Sequence, residues 1–453
     1  MNRRACLAVV VLLAACAEPG DDPGVDAGVD PDAAPPFAAT RYPPSVIRSP
    51  VTEAVAVRLR VIAERGAATQ RADVFAKIGD SHTVSTSFLH CFAGAAGSPY
   101  VIDLAGRDAV LMPTLDRFRT GTVGATTPFD RASLAAMIGR SASWALAGSP
   151  SPLQQELAAT TPAYAFVAYG SNDMELGTTH ASALPGFWNN LSRVLDEVAA
   201  AGAVPIVVGL PPRSDMDTAA RWVPTYDAVT RAIAESRQVP YISMYQATRT
   251  LPELGLAGDG LHHNVYVTGG RAQPCVLTAA GLAFGNNQRN LHHLDALAAA
   301  TAAVDDVAPD ADVLPAVSGA GTMAEPFVVD LLPFTHTFDT TGGERALDGY
   351  PACDTGQDES GPEVVYQLSL PSPAAIRVLA LDRDVVDVDV HVLDASGTCV
   401  ERDDWLVQRM LPAGEHTIVV DTFTSARMIE HAGAYTLVIV ACEPGDVDCA
   451  APP

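Results

Sequence analysis

The sequence predicts an α/β protein: a three-layer α/β/α domain built on a parallel sheet, followed by an antiparallel β-sandwich. Three observations carry this. Between about residues 41 and 303, short apolar runs that end in turn clusters alternate with helical patterns. A stretch rich in Asp, Pro and Gly at 304–325 then interrupts the alternation. From 326 to 453, short strand patterns broken by turns follow one another with no long helical period.

The strands of the first domain are VFAKI (74–78), AYAFVAYG (163–170), VPIVVGL (204–210) and VPYISMY (239–245). Continuous apolar runs of this length suit strands buried on both faces, which is the situation in a parallel sheet. The clearest helices are 184–201 and 218–236. Ligands of such sheets bind beyond the carboxyl ends of the strands. In the second domain VVYQLSL, IRVLALD, VVDVDVHVLD, HTIVVDTF and YTLVIVA read as sandwich strands.

Acidic residues outnumber basic ones 53 to 28, a formal net charge of −25. Such a surface repels phosphate backbones, so nucleic acid is excluded as a partner. Lysine occurs once, at Lys77. No P-loop is present, and a Schiff-base or Ser–Lys mechanism would have to use Lys77. That residue lies in the first strand, four positions before Ser81, so its side chain is expected away from the strand's end.

Arg3 and Arg4 precede an apolar run at 7–13 that is too short to span a bilayer, the pattern of an export signal. Residues 17–40 hold Asp, Pro, Gly and Ala with few apolar side chains, and read as a flexible tether. Of eight cysteines, Cys6 falls inside the signal and Cys16 at its end. The other six are Cys91, Cys275, Cys353, Cys399, Cys442 and Cys449. An even number in an oxidising compartment suggests disulfides. Domain locality favours Cys91–Cys275, Cys353–Cys399 and Cys442–Cys449. No C-x-x-C occurs, which argues against a zinc ribbon or redox motif.

Three short motifs stand at predicted strand ends: Gly79-Asp80-Ser81, Gly170-Ser171-Asn172-Asp173 and Asp259-Gly260-Leu261-His262. Each alone has ordinary turn composition. Together they fall on the ligand side of one sheet. A serine hydroxyl becomes a nucleophile when an imidazole takes its proton, and a carboxylate fixes that imidazole's tautomer. Charge developing on a carbonyl oxygen needs donors aimed at it. All these groups are present.

In this order the three blocks resemble the SGNH (GDSL-like) hydrolase superfamily over roughly residues 70–300. The resemblance implies an esterase with Ser81 as nucleophile, His262 as general base and Asp259 as its orienting carboxylate. It also implies an oxyanion hole from the Ser81 amide, the Gly139 amide and the Asn172 side chain. Gly139 is chosen from the 137–144 segment, with Gly121 and Gly124 as rivals; the Asn that the family often carries near this point is missing. No metal or organic cofactor is implied. The expected partner is an ester substrate, with acylated polysaccharide, small lipids and xenobiotics as candidates. Two other readings stay open: a glycan- or wall-binding protein that retains the hydrolase fold, and an acyltransferase.

Leu13-Ala14-Ala15-Cys16 resembles a bacterial lipobox. It implies that 1–16 is a lipoprotein signal, that Cys16 is lipidated, and that the protein is exported and anchored to the cell-envelope membrane. Ala17 points to the outer membrane under the enteric sorting rule. Cleavage after Ala15 by an ordinary signal peptidase is the alternative. In the second domain, Tyr350-Pro351-Ala352-Cys353-Asp354, VDVDVHVLD (386–394) and GAYTLVI (433–439) resemble the pre-peptidase C-terminal type of accessory domain.

Other residues carry rival readings. Ser141, in Gly139-Arg140-Ser141-Ala142-Ser143, approaches a G-x-S-x-G elbow but lacks a preceding strand. His263 adjoins the favoured base. His82 and His90 read as packing or surface groups, and His292-His293 as exposed. Asp387, Asp389 and His391 share one strand face, read as solvated, with a calcium site as the alternative. Arg213, after Pro211-Pro212, reads as a surface-loop residue or as a neighbour of an anionic group.

Overall fold

Runs of apolar residues too short for helices pair side by side as the first sheet: β1 (Arg71–Gly79), β2 (Pro162–Ala168), β3 (Val204–Val208) and β4 (Tyr241–Ile242). A computed structural model describes residues 39–94, 97–305, 314–347, 349–350, 352–353 and 356–449. The segments read from the sequence as an export signal ending at Cys16 and as a tether fall on residues 1–38, which with residues 306–313 lie outside this range. The sheet is parallel, in the order β1-β2-β3-β4. Gly79 pairs with Ala168, Val167 with Val207 and Val208 with Ile242. The strands therefore finish along one edge, from which the first two motifs leave directly; the third does not stand at a strand end, since the helix Met244–Thr248 and the turn Pro252–Gly255 separate it from β4. β3 is buried along its whole length, as a strand covered on both faces must be.

The covering helices are α1 (Glu53–Gly66), α2 (Ser81–Val84), α3 (Asp108–Thr120), α4 (Pro152–Thr160), α5 (His180–Ala200), α6 (Asp217–Arg237) and α7 (Gly285–Val304). Local chemistry sets several starts. Thr52 caps α1 through the Val55 amide. Ser151 with Gln154 and Thr179 with Ser182 cap α4 and α5 reciprocally. Cys91–Cys275 joins the segment after α2 to the segment before α7.

Among its described residues the second domain has nine strands: β5 (Phe327–Val329), β6 (Phe334–Asp339), β7 (Val364–Leu370), β8 (Ala374–Leu381), β9 (Val388–Leu393), β10 (Cys399–Asp403), β11 (Leu406–Leu411), β12 (Gly414–Thr422) and β13 (Ala434–Ala441). They form sheets β11-β8-β13-β6 and β10-β9-β12-β7-β5. Val378, Val390, Ile418, Leu437 and their neighbours fill the space between them. The sheets are antiparallel except for the edge strand β5, which runs parallel to β7. Cys353–Cys399 and Cys442–Cys449 are bonded in this domain.

The two domains share an interface on α6. Leu379, Leu381, Leu406, Val438 and Val440 of the sandwich belong to the same apolar cluster as Trp222 and Tyr226. At its centre Arg377, fully buried, lies 3.5 Å from the Trp222 ring centroid. It donates to Thr225 Oγ1 (3.1 Å) and Asp446 Oδ2 (2.5 Å).

Burial corrects three expectations, those for His292 and His293, for Asp389 with His391, and for Arg213. His292 and His293 are buried, because α7 is enclosed on most of its circumference. The His293 ring lies 4.8 Å from both Phe88 and Phe166. Asp389 and His391 are buried too: the face that alternation assigns to water is covered by Tyr350, whose ring stacks on His391, and by Glu359. Lys77 is enclosed, donates to the Phe129 carbonyl at 2.8 Å, and is lowered by burial to a pKa of about 7. Arg213 is not a surface residue; it is buried and clamps Asp215, Glu175 and the Ser171 carbonyl.

Replacing Arg377 by Ala strands the buried Asp446 carboxylate and removes the cation from the Trp222 face. Loss of one partner of a buried pair costs about 3–5 kcal/mol. Chemical unfolding of Arg377→Ala is expected to register a loss of that size; a loss under about 1 kcal/mol contradicts this account of the interface.

Candidate active site

β1 must end in glycine. A Cβ on Gly79 would lie 2.6 Å from the Ala168 carbonyl oxygen and 2.3 Å from Thr83 Oγ1. Asp80 follows as the N-cap of α2, its carboxylate accepting from the His82 amide at 3.0 Å. Ser81, first residue of that short helix, is half-buried at the sheet edge.

Segment 134–140 reaches the serine by extending the sheet. The Gly79 amide donates to the Ala135 carbonyl (3.0 Å) and the Met137 amide to the Gly79 carbonyl (3.1 Å). Tyr169 Oη holds the Ala135 carbonyl at 2.8 Å. Buried Glu156 accepts from the Leu134 amide and pairs with Arg131. Gly139 then turns the chain with φ +72°, a conformation that favours glycine. Among the described residues the amides of Ser81 and Gly139 donate to no acceptor.

The second motif leaves β2 through Gly170, at φ +139°, where a Cβ would strike Leu210. Asn172 Nδ2 donates to Asp80 Oδ2 (3.3 Å) and to the Arg140 carbonyl (3.2 Å). One side chain thus touches both the segment before Ser81 and the residue after Gly139. Asp173 accepts from the Ala142 amide at 2.9 Å and pins the same segment from behind. Burial pushes its carboxyl up to about 7.

The third motif is a turn closed by its own aspartate. Asp259 Oδ1 accepts from the amides of Leu261 (3.1 Å) and His262 (3.0 Å), and Oδ2 from His262 Nδ1 (2.7 Å). The His262 amide and side chain together hold this carboxyl down to about 2. The other ring nitrogen, Nε2, accepts from Ser81 Oγ at 2.8 Å. Serine, imidazole and carboxylate therefore stand in one hydrogen-bonded run. Neighbouring His263 is buried instead, against the His82 ring at 5.4 Å. Ser141 bonds Ser143 Oγ rather than a base.

Sequence reasoning missed what holds the two ends together. Three residues on one face of α7 bind the chain on either side of the run. Asn286 donates to the His263 carbonyl (2.8 Å), Arg289 to the His82 carbonyl, and Asn290 to the Ser87 carbonyl (2.9 Å). Their i, i+3, i+4 spacing was the only available signal. Behind Ser81, burial keeps His82 and His263 neutral, lowers Arg289 to about 9 and raises Asp80 to about 6. A void of about 20 Å³ among Asp80, His82, Tyr169, His263 and Arg289 holds no more than one water. Toward solvent, an open cleft of about 500 Å³ lies beside Asp259, lined by Ser214, Asp215, Glu253, Leu256 and Ala257.

Asp173 gives a pH prediction. Its folded-state pKa lies above the unfolded value, so the stability linked to its proton is full below about pH 4 and is lost as pH rises through about 7. Asp173→Asn keeps the acceptor for Ala142 and cannot ionise. Urea unfolding at pH 4.5, 6 and 8 is expected to show the variant gaining on the wild type as pH rises, by on the order of a few kcal/mol. Parallel pH profiles contradict it.

Residues 78–266 match the family model described as the GDSL-like Lipase/Acylhydrolase family. No curated protein matches the chain. Among solved structures, a GDSL-like lipase from Bacteroides thetaiotaomicron is similar at 13% identity, over 53% of this chain and 97% of that one, with a TM-score of 0.30. The pre-peptidase C-terminal domain of a Bacillus anthracis collagenase is similar at 11% identity, over 24% and 89%, with a TM-score of 0.16. A two-domain esterase active on acetylated mannans is similar at 12% identity, over 86% and 95%, with a TM-score of 0.26.

Proposed function

We propose that this chain, whose α/β domain belongs to the GDSL-like lipase/acylhydrolase family and is a carboxylic-ester hydrolase of that type, works through Ser81, His262 and Asp259. The observation that carries the reading is the unbroken run from Ser81 Oγ through both nitrogens of His262 to Asp259, at 2.8 and 2.7 Å. Ser81 Oγ attacks the acyl carbonyl as its proton passes to His262 Nε2. Ionised Asp259 orients the ring and stabilises the imidazolium. The Ser81 and Gly139 amides and Asn172 Nδ2 donate to the oxyanion, Asn172 exchanging one of its two long contacts for it. Collapse expels the alcohol, which takes the proton from His262. Water then enters by the same route, releases the acid and restores Ser81. Because His262 and Asp259 are substantially solvent-exposed, water reaches the acyl-enzyme freely, which favours hydrolysis over acyl transfer.

The shape of the site favours a short acyl group on a large alcohol. The space among Asp80, His82 and His263 is water-sized and too small for an acyl chain, while the cleft beside Asp259 is open to a bulky partner. The net charge of −25 disfavours polyanionic substrates. We therefore infer acetyl esters on neutral polysaccharide as the substrate class. A second reading rests on exposed apolar side chains around the site, Ile138 and Leu176 being 69% and 64% exposed; a longer acyl chain lying on that rim would use them. Export, with anchoring through a lipid on Cys16 and the 17–40 tether, completes the proposal on the strength of the N-terminal sequence alone.

Ser81→Ala is expected to lower p-nitrophenyl acetate turnover by about 10⁴-fold or more while the fold persists. Asn172→Ala is expected to lower kcat by about 10²–10³. Undiminished turnover in Ser81→Ala rules out the assignment. An ester panel should show kcat/KM falling from acetate to octanoate; the opposite trend selects the second reading.

A further inference from the structure

The sandwich buries a cluster of charged and polar groups unrelated to ester chemistry. Glu359, His391 and Asp421 are all buried, and their ligand-type atoms lie within 4.8 Å of one another. His391 is 1% exposed, and neither of its ring nitrogens has a hydrogen-bond partner; Glu359 Oε2 also lacks one. These two orphans face each other, with Nε2 4.0 Å from Oε2. Burying a polar atom without a partner costs roughly 1–3 kcal/mol, so two such atoms converging on one point call for a shared partner.

The surroundings are built to hold that point in place. Tyr350 stacks on the imidazole at 3.6 Å between centroids and donates its hydroxyl to Asp421 Oδ2 at 2.5 Å. Arg402 bonds the other oxygen of Glu359 (2.9 Å) and Asp389 Oδ1 (2.7 Å), so Oε2 is left pointing at His391.

We propose that Glu359, His391 and Asp421 bind one zinc-type divalent ion inside the β-sandwich. The imidazole selects against calcium and magnesium, which take oxygen ligands, and favours a borderline transition ion. Zinc bonds of about 2.0–2.2 Å place ligand atoms about 3.3 Å apart, so the present spacing of up to 4.8 Å contracts on binding. Asp389 and Arg402 then act as the outer layer that orients Glu359. The set differs from the strand-face calcium reading, since Asp387 is exposed.

The test is titration of the chelator-treated full chain with zinc chloride. One equivalent is expected to bind with Kd of about 1 µM or tighter, and the Tm to rise by roughly 5 °C at a hundredfold excess over Kd. Calcium chloride should bind at least a hundredfold more weakly. His391→Gln and Glu359→Gln should each weaken zinc by a hundredfold or more while keeping wild-type ester turnover. On the wild-type chain, one equivalent of cobalt(II) should give a tetrahedral visible absorption, a readout that depends on no variant. The proposal is overturned by failure to bind zinc, by binding that survives both substitutions, by calcium binding as tightly as zinc, or by absence of the cobalt band. Loss of ester turnover at one equivalent of zinc also overturns it, because the ion would then sit on His262.

Discussion

The hydrogen bond from Ser81 Oγ to His262 Nε2 joins residues 181 positions apart, and much of the α/β domain can be understood as what holds its two ends. Neither end is stable alone: α2 is a single turn, and Asp259–His262 is a partly exposed turn. Both are tied to α7, through Asn286 on one side and Arg289 and Asn290 on the other. Gly285, at the start of that helix, admits His263 so closely that a Cβ there would lie 2.6 Å from its ring. Cys91–Cys275 closes the same junction covalently. A rigid helix presenting amides and a guanidinium to two backbone segments is a way to keep two side chains at bonding distance without a continuous sheet beneath them.

Electrostatics divides the site into a neutral inner side and a charged outer one. Inside, burial holds His82 and His263 uncharged and raises Asp80 and Asp173. Outside, Asp259 is exposed to solvent, hydrogen-bonded to two amides and the imidazole, and remains ionised. The carboxylate that must stay charged is thus the one in water, and the two that brace the loops are those whose charge burial suppresses. Asp80 and Asp173 act by position, joining the Ser81, Gly139 and Asn172 segments into one wall.

What was legible in the sequence was what depends on local chemistry. The segments at 79–81, 170–173 and 259–262 have the composition that turns use, so the three motifs could be read, although the contacts that require glycine at 79 and 170 come from Ala168 and Leu210. What stayed hidden depends on segments far apart in the chain. Arg213 looked like a loop residue because Glu175 was not known to face it. His293 carries no sign of burial, since α7 lacks a strong amphipathic pattern, and its enclosure comes from Phe88 and Phe166. Asp389 and His391 alternate with valine as on a wet strand face, and the covering Tyr350 and Glu359 turn that face into an interior.

The sandwich is a second, differently built body fastened to α6 through Arg377 and a shared apolar surface. It contributes none of the residues in the Ser81–His262–Asp259 run. The account of the α/β domain therefore stands or falls on whether Ser81 is activated by the imidazole it touches. The most direct measurement is reaction of the folded chain with a fluorophosphonate, followed by mass mapping of the adduct. A single adduct on the peptide carrying Ser81 is the result the geometry requires; an unlabelled folded chain, or an adduct on another serine such as Ser141, would contradict it.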